Sequence, residues 1–346
     1  MAYSTIIKPQ DYFNTKLYTG TGASSQAQTG VGFEPSFVWI KSRSSAEGHV
    51  LTDAVRGATK YLISNTSSAE VTNTDTVKSF DSDGYTIGPA GVTGGNGVTF
   101  ASWNWKANGQ GSSNTDGSIN TTYTSVNTTS GFSISQYVAA GGTSTVGHGL
   151  GVAPEMMIIK KSSGTQSWVV YHKSLGAGGF MYLNAAETFA ANTTIWNNTS
   201  PTNNVFTIGA LNEVNDNGQT YIAYCFAEKQ GYSKFGSYVG NGNADGTFVY
   251  TGFKPAFILL KTSTINGNDW HIFDSKRIGY NVSNYSLKPN STATEVTSLN
   301  IDLLSNGFKL RGTQNDINGS GTYIFMAFAE SPFVSNVGES LPTTAR

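Results

Sequence analysis

Cysteine occurs once in this 346-residue chain, at Cys225, which excludes an intrachain disulfide framework. Charge is scarce too. Asp, Glu, Lys and Arg make up 12 % of the residues, and the formal net charge is −1. That is about half the usual charged share. With no cluster of Lys and Arg to release counterions from phosphates, nucleic acid is excluded as a partner. No run of about 18 apolar residues is present, so no membrane insertion is expected. The start, MAYSTIIKPQDYF, has neither the basic nor the apolar region of a secretory signal. The four histidines, His49, His148, His172 and His271, show no short metal-ligand spacing, so neither a metal nor another cofactor is expected.

What fills the chain instead is glycine (40 residues), small polar residues and aromatics (12 %), the composition of strands and tight turns. One pattern occurs three times. GFEPSFVWIK begins at Gly32, GVAPEMMIIK at Gly151 and GFKPAFILLK at Gly252. Pro35, Pro154 and Pro255 are each followed six residues later by Lys41, Lys160 and Lys261. Tyr85, Phe206 and Phe308 open a second motif, and each stands 14 residues before the threonine of a closing strand: TFASWNW, TYIAYCF and TYIFMAF. Such register predicts an all-β chain of three tandem β-sandwich-like repeats of about 100 residues each. The boundaries fall at 13–107, 132–230 and 231–331. Residues 1–12 read as an N-terminal arm, 108–131 as a Gly/Ser/Asn/Thr-rich linker and 332–346 as a tail. The last two repeats are expected to form a compact pair, with the first sitting more freely.

Runs such as Phe37-Val38-Trp39-Ile40 are apolar at every position, which predicts strands buried on both faces. Tyr85, Phe206 and Phe308 are expected in the cores. Catalysis finds little support. Cys225 has no base beside it, and the Asp-Gly and Asn-Gly clusters suit turns better than ion sites. Glycoside hydrolysis needs two carboxylates flanking a sugar bond, and no such pair recurs among the copies. One aromatic stands apart. Trp196, followed by Asn197 and Asn198, lies in a loop without a counterpart in the first copy, where an indole can stack on a sugar ring. The plainer reading, an indole covering its own domain, is preferred.

The opening MAYSTIIKPQDYFNTKLYTG, the runs VRGATKYLISNTSSAEVT and VGHGLGVAPEMMIIKK, the segment YCFAEKQGYSKFGSYVGNGNADGTFVYTGFKPAFILLK and the end PTTAR carry a resemblance. In these the chain resembles a family of repeat-bearing, virion-structural or tail-fibre-like proteins of tailed phages of aquatic bacteria. The resemblance implies no catalytic residues. It implies a non-enzymatic external protein of a virion, a tail fibre or adhesin or a head decoration, held by other virion proteins. A homo-oligomer is expected, a trimer above all, in contact with a host-surface glycan. The alternatives are a secreted carbohydrate-binding protein and a glycan depolymerase.

Overall fold

The computed structural model describes residues 4–332, almost all of them in antiparallel sheets and the turns that join them. Among those residues the helices are a 3-10 turn, Pro9–Asp11, and two single turns, Gly91–Gly94 and Asn212–Asn215.

In the first stretch the larger sheet runs Phe13–Thr19, Thr99–Trp105, Phe37–Ser42, Val50–Asp53, Lys60–Ile63, Val71–Thr72. In the second, Phe132–Val138, Thr220–Phe226, Met156–Lys161, Val169–His172, Gly179–Tyr182 and Ala190–Ala191 follow in that order. In the third, Ser233–Val239, Thr322–Pro332, Phe253–Thr262 and His271–Asp274 do so, extended by single bridges from Ile272 to Leu287 and from Ser286 to Val296. A smaller sheet accompanies each: Gln26–Thr29 with Gly84–Ile87 and Val77–Asp81, Ser144–Gly147 with Val205–Ile208, and Phe248–Tyr250 with Gly307–Leu310 and Ile301–Leu304. Pro35 and Pro154 precede their strands. Pro255 lies inside one, at a register shift against Thr322–Pro332, where a missing N–H is tolerated.

The all-apolar strands are explained by two cores. In Phe37–Ser42, Val38 and Ile40 face the smaller sheet and pack with Tyr85 and Ile87. Phe37 and Trp39 face the other way. Successive side chains of a strand point to opposite faces, and here neither face meets water. Phe206 and Phe308 fill the equivalent cores of the other two stretches.

The opposite faces of all three larger sheets meet in one shared core. Phe13, Phe37 and Trp105 from the first stretch, Phe132, Tyr224 and Phe226 from the second, and Phe235, Phe257 and Phe328 from the third belong to it. Ring centroids lie 4.4 Å apart for Phe37 and Tyr224, 5.2 Å for Phe13 and Phe328, and 6.1 Å for Phe226 and Phe328.

Hydrogen bonds around this core run in a closed cycle. The Glu70 N–H donates to the Ser162 carbonyl at 2.9 Å, the Phe189 N–H to Ser263 at 3.1 Å, and the Glu295 N–H to Arg43 at 3.0 Å. First joins second, second joins third, third joins first. Indoles repeat the motif. Trp168 Nε1–H donates to the Ile63 carbonyl at 3.0 Å and Trp270 Nε1–H to Tyr182 at 2.8 Å. His49 stands in the matching place. Its Nδ1 accepts from Trp39, and its Nε2 faces the Lys288 backbone short of full hydrogen-bond geometry.

Three expectations change accordingly. The first stretch is not freer than the others: Arg43 pairs with Glu295 at 2.8 Å, and Ser64 donates to the Pro289 carbonyl at 2.7 Å. The tract 108–131 is no simple linker. It holds the strand Tyr123–Asn127, paired with Phe132–Val138, and its hydroxyls are bonded, Thr121 to Thr124 at 2.9 Å and Thr124 to Ser135 of the neighbouring strand at 3.1 Å. The N-terminal segment, read as an arm, packs against its own chain. Ile6 is in the shared core, Tyr12 meets Tyr232 edge-on, and Gln10 donates to the Glu330 carbonyl. The C-terminal tail lies outside the described residues beyond Pro332.

Candidate functional site

Trp196 is 1 % exposed. Its Nε1–H donates to the Gly179 carbonyl at 2.8 Å, and its ring stands edge-on to Tyr171. Asn197 and Asn198 are exposed beside it, both at positive φ, so the segment is a tight turn that tucks the indole inward. An indole without a free face cannot stack on a sugar. Cys225 is equally enclosed, and burial pushes its thiol up, away from nucleophilic use.

The three motif lysines are buried and, among the described residues, have no carboxylate within ion-pair distance. Lys41 Nζ donates to the Thr292 carbonyl at 3.1 Å, Lys261 Nζ to Ala186 at 3.1 Å, and Lys160 Nζ to Gly164 at 3.3 Å. The first two bonds cross between stretches. Burial lowers Lys41 and Lys261 to about 8 and Lys160 to about 7. It also lowers all four histidines, His172 to about 4. Wherever a folded pKa is depressed in this way, the unfolded chain binds the extra proton, so stability falls as pH falls through the window. For the lysines the window runs from about 10.5 down to 7, for the histidines from about 6.5 down to 4. The buried tyrosines act oppositely. Burial raises Tyr137, Tyr224 and Tyr238, so their contribution is lost above pH 10. The urea midpoint is therefore expected to climb from pH 4 to about 9 and decline beyond 10, with Lys160→Met flattening the climb above pH 7. A maximum near pH 6 would contradict neutral buried lysines.

The nearest approach to a catalytic pair is Glu155 with Glu228. Burial raises Glu155, whereas hydrogen bonding to Lys234 holds Glu228 low despite its own burial. Lys173 bridges both carboxylates, at 2.5 and 3.4 Å. Divergent carboxylates can mark an acid and its partner. These two are tied to the same lysine, and Glu228 also to Lys234 at 2.7 Å. The pair is an ion network on the surface. Among the described residues no group of His, Cys, Asp or Glu is arranged to hold a metal ion.

An open site does exist in the third stretch. A cleft of about 450 Å³ is lined by Lys254, Ser275, Tyr280, Asn281, Ser283 and Glu330, among others. Lys254 and Glu330 face each other across adjoining strands, Nζ and Oε2 2.8 Å apart, close enough for an ion pair but off the angle of a hydrogen bond. Asn281 is pinned at both ends of its amide: Nδ2 donates to the Leu303 carbonyl and Oδ1 accepts from the Leu303 N–H, each at 2.9 Å. Tyr280, next to it, is 72 % exposed. The Ser275 and Ser283 hydroxyls are buried and have no partner. Apart from Lys254, the cleft's lining lies outside the motifs that the three stretches share. A signal was present. Leu62 and Met181, which pair with Leu51 and Val170, come six residues after Arg56 and Leu175. Leu287, which bridges to Ile272, comes ten after Arg277. The four extra residues carry Tyr280 and the cleft wall.

Among the described residues no helix is long and apolar enough to cross a membrane. No curated protein and no solved structure matches the chain. A family model does, over residues 8–332, nearly the whole length of the chain. The chain belongs to the DUF7483 family, a domain of unknown function.

Proposed function

We propose that the chain is a non-enzymatic structural protein on the exterior of a phage virion, a tail-fibre or head-decoration component held by other virion proteins. The observation that carries this reading is the closed cycle of contacts around a shared aromatic core. Head-to-tail contacts that close make a finite, ring-like body. Here one chain supplies all three positions of the ring. A body so closed and so poor in charge suits an external part, because its paired strands offer proteases few open peptides. The enclosed state of Cys225, the histidines and the motif lysines supports a structural use of its polar groups.

Assembly changes with this reading. A trimer of chains was the expectation from sequence; three-fold closure within one chain means a single copy fits a three-fold mount. Light scattering at high micromolar concentration is expected to give a monomer, and a stable trimer would restore assembly from three chains. Mass spectrometry of gradient-purified particles tests the virion assignment. The chain is expected in them at a fixed ratio to the major structural proteins. Its absence there, with recovery from the culture medium, would favour a secreted carbohydrate-binding protein. Release of reducing sugar from host polysaccharide would instead identify a depolymerase.

A further inference from the structure

We propose that the cleft between Tyr280, Ser283 and the Lys254–Glu330 pair binds one pyranose unit of a saccharide. The volume, about 450 Å³, is in the range of small-ligand sites. Its chemistry is mixed in a specific way. Tyr280 offers an exposed ring at the rim. Inside are two hydroxyls with no partner, and Ser283 as a whole is 1 % exposed. Buried polar groups nearly always have partners, so the unpaired serine hydroxyls, enclosed in the wall of the cleft, mark a place where a ligand or water pressing into that wall completes the bonding. Lys254 and Glu330 add a strong donor and a strong acceptor without net charge.

A pyranose matches this set. Its C–H face packs on an aromatic ring, and its hydroxyls both donate and accept, as serine hydroxyls and an ion pair require. An anion such as phosphate suits the site poorly. Lys254 is the one cation among the cleft's described lining residues, and Glu330 already balances it. A wholly apolar ligand would leave the serine hydroxyls unpaired, which costs affinity.

The site is also held in shape. Ser283 is fixed by backbone bonds in both directions with Ile301, at 2.8 and 2.9 Å, and Ser275 by its N–H to the Ala256 carbonyl at 2.9 Å. The Asn281 amide anchors the loop that carries Tyr280 to Leu303. A loop fixed before binding loses little entropy on binding. Neither of the other stretches has the extra residues, so the fold does not depend on them.

Saturation-transfer NMR on the full chain tests this with methyl glycosides of glucose, galactose and mannose and with N-acetylglucosamine and N-acetylgalactosamine. Inorganic phosphate serves as the anion control. Saturable, millimolar binding of at least one sugar is expected, with none for phosphate. Tyr280→Ala, at an exposed position that leaves the fold intact, is expected to weaken it at least about tenfold, and Ser283→Ala by a smaller factor. No saturable binding to any of the five sugars would overturn the proposal. So would binding that both variants retain, because the sugar would then sit elsewhere. The outcome is separate from the virion assignment: a chain found in particles but blind to sugars removes the cleft proposal alone, and a sugar-binding chain absent from particles removes the assignment alone.

Discussion

Replacing Asp274 by alanine is expected to cost about 3–5 kcal/mol of folding stability, among the largest single-residue effects in the chain. Asp274 Oδ2 lies 2.6 Å from Arg277 Nε and accepts from Trp103 Nε1–H at 3.0 Å. Both members of the ion pair have fully buried side chains. Removing the carboxylate leaves a guanidinium out of water, facing Glu295, the Ile272 carbonyl and the Trp103 ring. It also strands the indole N–H of another stretch. The first stretch carries the same device: Arg56 Nε lies 2.6 Å from Asp53 Oδ2, which accepts from Tyr224 OH at 2.7 Å. In the second, His172 takes the place of the aspartate and faces the Phe325 carbonyl at 3.2 Å. The Ser174 N–H donates to its Nδ1, so Nε2 carries the proton and donates. Urea denaturation of Asp274→Ala measures the loss. The double variant Asp274→Ala with Arg277→Met is expected to regain much of it, since a buried pair replaced whole costs far less than a pair broken. Equal losses in the single and double variants would mean that the ion pair itself supplies the stability.

Truncating Phe328 to alanine is expected to cost a similar amount, about 3–5 kcal/mol, by loss of transfer energy and an unfilled cavity. What separates it from an ordinary core truncation is where the damage spreads. The Phe328 ring meets Phe13 and Trp105 of the first stretch, Phe226 of the second, and Tyr232, Phe235 and Phe257 of its own. Phe308, by contrast, packs only in the third stretch, against Tyr238 and Phe325 among others. Phe308→Ala is expected to lose about the same stability with effects confined to that stretch. Amide hydrogen exchange distinguishes the two. In Phe328→Ala, exchange is expected to quicken in Thr99–Trp105 and Thr220–Phe226 as well as in Thr322–Pro332. Quickening confined to residues 231–332 would contradict a core shared by the three stretches.

The strands themselves were legible from local pattern. An apolar run after a proline, closed by a lysine, has few uses other than a strand covered on both sides, and Phe37–Ser42, Met156–Lys161 and Phe253–Thr262 are such strands. The shared core was not legible. Alternation along a strand separates two faces but does not say what covers each. Phe37 and Val38 look alike in sequence although one meets Tyr224 of another stretch and the other its own smaller sheet. The tract 108–131 misled for a different reason. Gly, Ser, Asn and Thr in a run suggest a chain with nothing to bury, yet Ser125, Thr121 and Thr124 are enclosed and satisfied by hydrogen bonds instead of apolar contact. Trp196 illustrates the limit for sites: loop position was visible, but the turn at Asn197 and Asn198 that directs the ring inward was not. The cleft at Tyr280 needed both an insertion and two serines brought together from positions eight apart.

An exterior component of a virus particle, as proposed for this chain, is reached by antibody on intact, gradient-purified particles. Antibodies against the purified chain are expected to decorate unopened particles at regular positions on tail or head, with the chain detected in the same fraction by mass spectrometry. Particles that stay undecorated and contain no trace of the chain, while the protein accumulates in infected cells or in the medium, would contradict the claim.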